Sequence, residues 1–119
     1  MAKKILLIED DLATIEIYER AFKQAGFEIE SLITGFQARG RLREIREGKK
    51  EKPDLILLDL LLPDITNGTP LLKEIKEQTQ TKDILVFVLT NYPDLQLGRK
   101  LLREGADKFL IKTNYPPSG

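Results

Sequence analysis

Apolar positions along the chain form two kinds of pattern, and the two alternate. Residues Ile5 to Ile8, Leu55 to Leu58 and Ile84 to Leu89 are unbroken apolar runs, as expected of parallel strands covered by helices on both faces. Shorter runs at Glu28 to Ile33 and Lys108 to Ile111 complete a set of five. Between the runs, apolar residues recur every three or four positions. Leu12, Ile15, Tyr18, Phe22 and Ala25 predict a helix over about residues 11–25, with Gly26 where it stops. Ala38, Leu42 and Ile45 mark a second helix. Leu71, Leu72 and Ile75 mark a third, with Thr69 as its N-cap and Pro70 in the first helical position. A fourth is expected from about Asp94 to Glu104, closed by Gly105.

Strict alternation of strand and helix predicts an α/β fold: three layers, doubly wound, around a five-stranded parallel sheet with right-handed crossovers. The spacing suits the order 2-1-3-4-5, whose crevice opens at the carboxyl ends of the first and third strands. A length of 119 residues predicts a single domain over residues 1–119. No apolar run approaches the roughly 18 residues of a membrane span, and Met1 to Lys4 lack the features of a signal peptide. A cytoplasmic location and no membrane partner are therefore expected.

Composition narrows the chemistry. Cysteine and histidine are both absent, which excludes disulfides, thiolate metal sites and the commonest general bases. Any reaction must run on carboxylates, hydroxyls and lysines with a hard, oxygen-loving cation. Nineteen basic residues balance nineteen acidic ones, so no nucleic-acid footprint is expected. The run Lys49-Lys50-Glu51-Lys52 fits a solvated loop better than a binding patch.

The first strand ends in Glu9-Asp10-Asp11 and the third in Asp59. If these strands are neighbours, about 4.8 Å apart, at least three carboxylates converge on one small volume. Two like charges at 4 Å repel by roughly 4 kcal/mol at an effective dielectric of 20, so the cluster must bind a cation or take up protons. Mg²⁺ suits it, accepting one or two carboxylates and keeping sites for water and a phosphate oxygen. The fourth strand ends in Thr90 and the fifth in Lys112, adding a hydroxyl and an ammonium at the same edge. A carboxylate nucleophile, a metal and two further donors are what phosphoryl transfer requires. Singly, each residue is as well explained as a cap, a turn or a strand end. Their coincidence at strand C-termini is the signal.

These residues resemble the receiver domains of two-component response regulators, which have a flavodoxin-like fold. The resemblance rests on Ile5-Leu6-Leu7-Ile8-Glu9-Asp10-Asp11, on Pro53 through Asp59 followed by Pro63 and Gly68, on Thr90, and on Gly105 through Lys112. It implies that Asp59 is the phosphoacceptor. It further implies Mg²⁺ held by Asp10 directly, by Glu9 through water, by Asp59 and by the backbone carbonyl of Leu61. Thr90 and Lys112 would hold the phosphoryl oxygens, and Phe109 would be the aromatic that turns inward when Thr90 moves toward the phosphate. The implied partners are a sensor histidine kinase or phosphotransfer protein and a downstream protein target. Asp11 is left out of the metal site as an equally good helix N-cap. Phe109, in a buried final strand, is by its own chemistry simply a core residue.

Four features depart from the family pattern. The segment Asp64 to Gly68 is one residue longer than the usual loop, and Asn91 follows Thr90 where a small residue is usual. Thr113 follows Lys112 where the family has a cis proline; without proline, cis costs roughly 3 kcal/mol, so a trans bond is expected. The family's fifth helix is expected to be missing, since Thr113 to Gly119 contain adjacent prolines that cannot sit inside a helix. One face of the sheet should then lack half its cover, which invites self-association or a partner's helix. A truncated chain, a swapped helix and a partner-supplied helix stay open.

The main alternative is a pseudo-receiver, an interaction module that keeps the fold without being phosphorylated. It is disfavoured because every functional position holds a competent residue type. A dehalogenase-like phosphatase would want a second Asp two residues after the nucleophile, where Leu61 stands. A flavin or nucleotide binder would want a Gly-rich loop after the first strand, where Glu9-Asp10-Asp11 would repel a phosphate that lacks a metal.

Overall fold

A computed structural model describes residues 2–60, 62, 69–90 and 94–112. The elements run β1 (Lys4–Ile8), α1 (Leu12–Gln24), β2 (Glu28–Leu32), α2 (Gly35–Arg46), β3 (Leu55–Asp59), α3 (Thr69–Glu77), β4 (Leu85–Thr90), α4 (Leu95–Arg103) and β5 (Lys108–Ile111). All strand pairs are parallel, in the order β2-β1-β3-β4-β5. This is the doubly wound, three-layer sheet the alternation predicts.

The unbroken apolar runs are explained by burial on both sides. Leu6, Ile8, Ile56, Leu58, Val86 and Val88 point into a core closed by α2, α3 and α4 through Leu42, Leu71, Leu72, Ile75 and Leu101. Ile5, Leu7, Leu57 and Leu89 point the other way, against Ile15 of α1, with Tyr18 and Phe22 packed beside it. Among the described helices, α1 alone covers this second face. Four helices are present among the described residues; the expected loss of a fifth concerns residues 113–119, which lie outside them. No helix among the described residues is long and apolar enough to cross a membrane.

Local chemistry sets the helix ends. Asp11, Thr34 and Asp94 are N-caps, accepting from the backbone N–H groups of Thr14, Gln37 and Leu97. Gly26 and Gly105, at φ +92° and +114°, take the left-handed conformation that ends α1 and α4 cheaply. Two expectations need adjusting. Thr69 is the first residue of α3 rather than its cap, one position earlier than expected. Leu12 is 72% exposed, and the buried face of α1 begins at Ile15.

Candidate functional site

Strand register brings the chemistry together. Ile8 pairs with Leu58, so the next residues, Glu9 and Asp59, leave neighbouring strands side by side. Asp59 pairs in turn with Leu89, and Thr90 pairs with Ile111, which delivers Thr90 and Lys112 to the same edge. The chain after β1 and β3 is pinned by its backbone: Glu9 N–H donates to the Leu32 carbonyl at 3.0 Å, and Leu60 N–H to the Leu89 carbonyl at 3.1 Å.

One carboxylate oxygen from each of Glu9, Asp10 and Asp59 falls within 4.8 Å of the other two. Glu9 is fully buried and Asp59 nearly so, while Asp10 faces solvent. Lys112 Nζ donates to Glu9 Oε1 and stands 3.3 Å from Asp59 Oδ2. Asp10 N–H donates to Glu9 Oε2 at 3.2 Å. Thr90 is buried beside them, at the end of β4.

Burial pushes the Glu9 carboxyl up to about 8; a hydrogen bond shared with Asp59 pushes the same way, and the Lys112 ammonium opposes both. The Lys112 ammonium is itself held above its ordinary range by Glu9 and Asp59, against the cost of burial. One ammonium against three carboxylates leaves the cluster short of positive charge. An all-oxygen donor set with that deficit fits a hard divalent cation better than a transition metal.

Of the residues singled out from sequence, Glu9, Asp10, Asp59, Thr90 and Lys112 meet at this edge. Phe109 lies in β5, half-buried against the larger core. Asp11 caps α1, taking the simpler of its two readings. Leu61, the loop at 64–68, Asn91 and Thr113 lie outside the described residues. What sequence reasoning missed is the pairing of Lys112 with Glu9, between residues 103 positions apart, which no local pattern signals.

The model of the response regulator receiver domain matches residues 5–117, nearly the whole chain. The chain belongs to that family. Receiver domains are the phosphoacceptor parts of two-component systems. This receiver is similar in structure to the phosphorylated cyanobacterial phytochrome response regulator RcpA, with a TM-score of 0.87 and 30% identity over 99% of this chain and 85% of that one. It is also similar to the Mn²⁺-bound form of response regulator Rcp1, with a TM-score of 0.83 and 31% identity over 92% of this chain and 81% of the other. Among curated proteins, it is 36% identical over 63 residues to the DNA-binding response regulator MtrA of Mycobacterium tuberculosis (strain ATCC 25618 / H37Rv). That match covers 53% of this receiver and only 25% of MtrA, so the receiver spans about a quarter of the curated relatives it matches.

Proposed function

We propose that this receiver accepts a phosphoryl group on Asp59 in a Mg²⁺-dependent reaction and works as a switch for protein partners. The observation that carries the reading is the meeting of Glu9, Asp10 and Asp59 within 4.8 Å, beside Lys112, at one edge of the sheet. Glu9, Asp10 and Asp59 would hold the cation, and Leu61 would add its carbonyl on the strength of the resemblance alone. Bound there, Mg²⁺ would supply positive charge to offset the negative charge of the phosphoryl oxygens during transfer.

The donor is a sensor histidine kinase or a phosphotransfer protein. An Asp59 carboxylate oxygen attacks phosphorus, the bond from phosphorus to the donor nitrogen breaks, and the electron pair returns to the donor imidazole. The product is an acyl phosphate on Asp59. A carboxylate nucleophile needs no general base to attack phosphorus, which suits a chain without histidine. The Lys112 ammonium, already 3.3 Å from Asp59, takes up part of the charge carried by the transferring group. The Thr90 hydroxyl holds another phosphoryl oxygen, and Phe109 follows Thr90 inward, changing the surface offered by α4 and β5 to a downstream protein. The whole of residues 1–119 acts as one receiver unit.

The test is incubation with acetyl phosphate and Mg²⁺, followed by intact mass, with Asp59→Asn as control. A phosphoryl adduct in the wild type that is absent from Asp59→Asn supports the reading. An adduct that survives in Asp59→Asn overturns the assignment of Asp59, and no adduct in either, with beryllofluoride also silent, would leave a pseudo-receiver.

A further inference from the structure

We propose that Gly98, in the middle of α4, is the seat for the Phe109 ring and thereby sets how readily the receiver switches. The inference rests on the reading of Phe109 as the aromatic that follows Thr90. Gly98 is buried, and a Cβ placed on it would lie 2.8 Å from Phe109 Cδ1, 3.0 Å from Cε1 and 3.2 Å from Cγ. Real Cβ atoms essentially never come within 3.0 Å of another heavy atom, so the ring occupies space that any other residue at 98 would fill.

Glycine is a poor helix former, and α4 is a nine-residue helix with little stability to spare. Nothing in its backbone calls for glycine, since the glycines at positive φ are Gly26, Gly48 and Gly105. The close approach of the ring is what the glycine permits. Leu95, Arg99 and Leu102 of α4 rim the groove in which the ring lies, with Lys108 and Leu110 on the β5 side. Across the sheet, Phe109 pairs with Val88, two residues before Thr90, so the side chains of Phe109 and Thr90 project from the same face of adjacent strands. A ring on Gly98 is therefore held away from Thr90 by contact with α4. A ring that leaves the notch moves along that face toward Thr90.

Closing the notch removes the favourable contact of the seated position and leaves the other position untouched. By linkage, whatever draws Thr90 and Phe109 inward then binds more tightly. Gly98 is thus a positioning residue acting through Phe109.

The experiment compares the wild type, Gly98→Ala, Phe109→Ala and the double variant. Each is titrated with beryllofluoride in saturating Mg²⁺, following the Thr90 and Ile111 amide resonances, and the Phe109 ring resonances where the ring is present. Alanine improves helix propensity at 98, and a urea midpoint for each variant checks that the displaced ring does not cost the fold; Phe109→Leu stands in should Phe109→Ala not fold. Gly98→Ala should shift the ring resonances before any addition and lower the titration midpoint by about fivefold or more. The midpoint change should vanish when Phe109 is Ala. A midpoint change that persists without the ring, or a Gly98→Ala protein that titrates like the wild type, overturns the seat while leaving the phosphoacceptor reading intact. Silence from all four proteins overturns that reading, and the switching role of Gly98 with it.

Discussion

Asp59 ends β3 and Lys112 follows β5, yet Lys112 Nζ stands 3.3 Å from Asp59 Oδ2, reaching over the end of β4 and donating to Glu9 as well. One ammonium thus serves two buried carboxylates on adjacent strands. Removing it as Lys112→Met leaves Glu9 and Asp59 facing each other without a counter-charge. Breaking a buried pair in this way costs about 3–5 kcal/mol when the remaining charge cannot escape. Here Glu9 can escape by holding a proton, so the loss should be smaller at about pH 6 than at about pH 9. Urea unfolding in EDTA at the two pH values measures it, and saturating Mg²⁺ should restore much of what is lost. Equal losses at both pH values would mean that Lys112 does not serve the carboxylates electrostatically.

The same cluster sets a pH dependence whose sign is opposite to that of an ordinary carboxylate. The folded-state Glu9 carboxyl is raised to about 8 from its ordinary value of 4.5, so between those values the folded chain holds a proton that the unfolded chain has released. Stability from this group is present below about 4.5 and is lost as pH rises toward 8, by at most about 1.4 kcal/mol per pH unit. Urea midpoints in EDTA should therefore fall across this window. A cation held as proposed would displace that proton, so Mg²⁺ affinity should climb over the same window and level off above about pH 8. Affinity independent of pH from about 6 to 8 would show that the raised Glu9 carboxyl is not displaced.

Asp10 and Glu9 should separate metal binding from folding. Asp10 faces solvent, so Asp10→Asn removes a charged donor without disturbing the core. Mg²⁺ affinity should drop by at least the roughly tenfold to hundredfold seen when outer-shell partners are lost. The unfolding free energy in EDTA should stay within about 0.5 kcal/mol of the wild type. Glu9→Gln differs in kind: above about pH 8, where Glu9 is charged, it removes a buried charge, so the metal-free protein should become more stable at about pH 9 even as Mg²⁺ binding weakens. A stable Asp10→Asn protein with undiminished Mg²⁺ affinity would take Asp10 out of the site.

How much of this was legible in the sequence depends on how local each cause is. The strands were legible because β1, β3 and β4 are buried on both faces, leaving unbroken runs such as Leu55 to Leu58 that no surface element carries. The start of α4 near Asp94, its stop at Gly105 and the cap reading of Asp11 are decided within four residues, and they too could be read. Glu9, Asp59, Thr90 and Lys112 could be gathered at one edge because parallel strands all end on the same side. The exposure of Leu12 could not, since apolar periodicity says which face turns inward but not at which residue its burial begins. Nor could the choice Lys112 makes between carboxylates, or the seat of Phe109 on Gly98, because both depend on side-chain reach across elements distant in sequence.

The opposite edge of the sheet supplies a control. Asp107, just before β5, accepts from the Val86 backbone N–H at 2.8 Å and from Lys76 Nζ at 3.1 Å, and that ammonium also donates to the Ile84 carbonyl at 2.8 Å. The network ties α3 to the starts of β4 and β5, far from the carboxylates that gather at the strand ends. Asp107→Ala leaves the Val86 N–H unpaired and takes a counter-charge from Lys76, at a cost of about 1–3 kcal/mol. The lower end applies because the Asp107 side chain is about a third exposed, so water reaches part of what it leaves behind. Mg²⁺ affinity should not change, since the loss falls on elements whose far ends carry the site. Urea unfolding paired with a Mg²⁺ titration checks both halves. A fall in affinity along with stability would mean that the two edges of β4 move as one body, and that the site's geometry is held from the base of the sheet as well as by its own ion pairs.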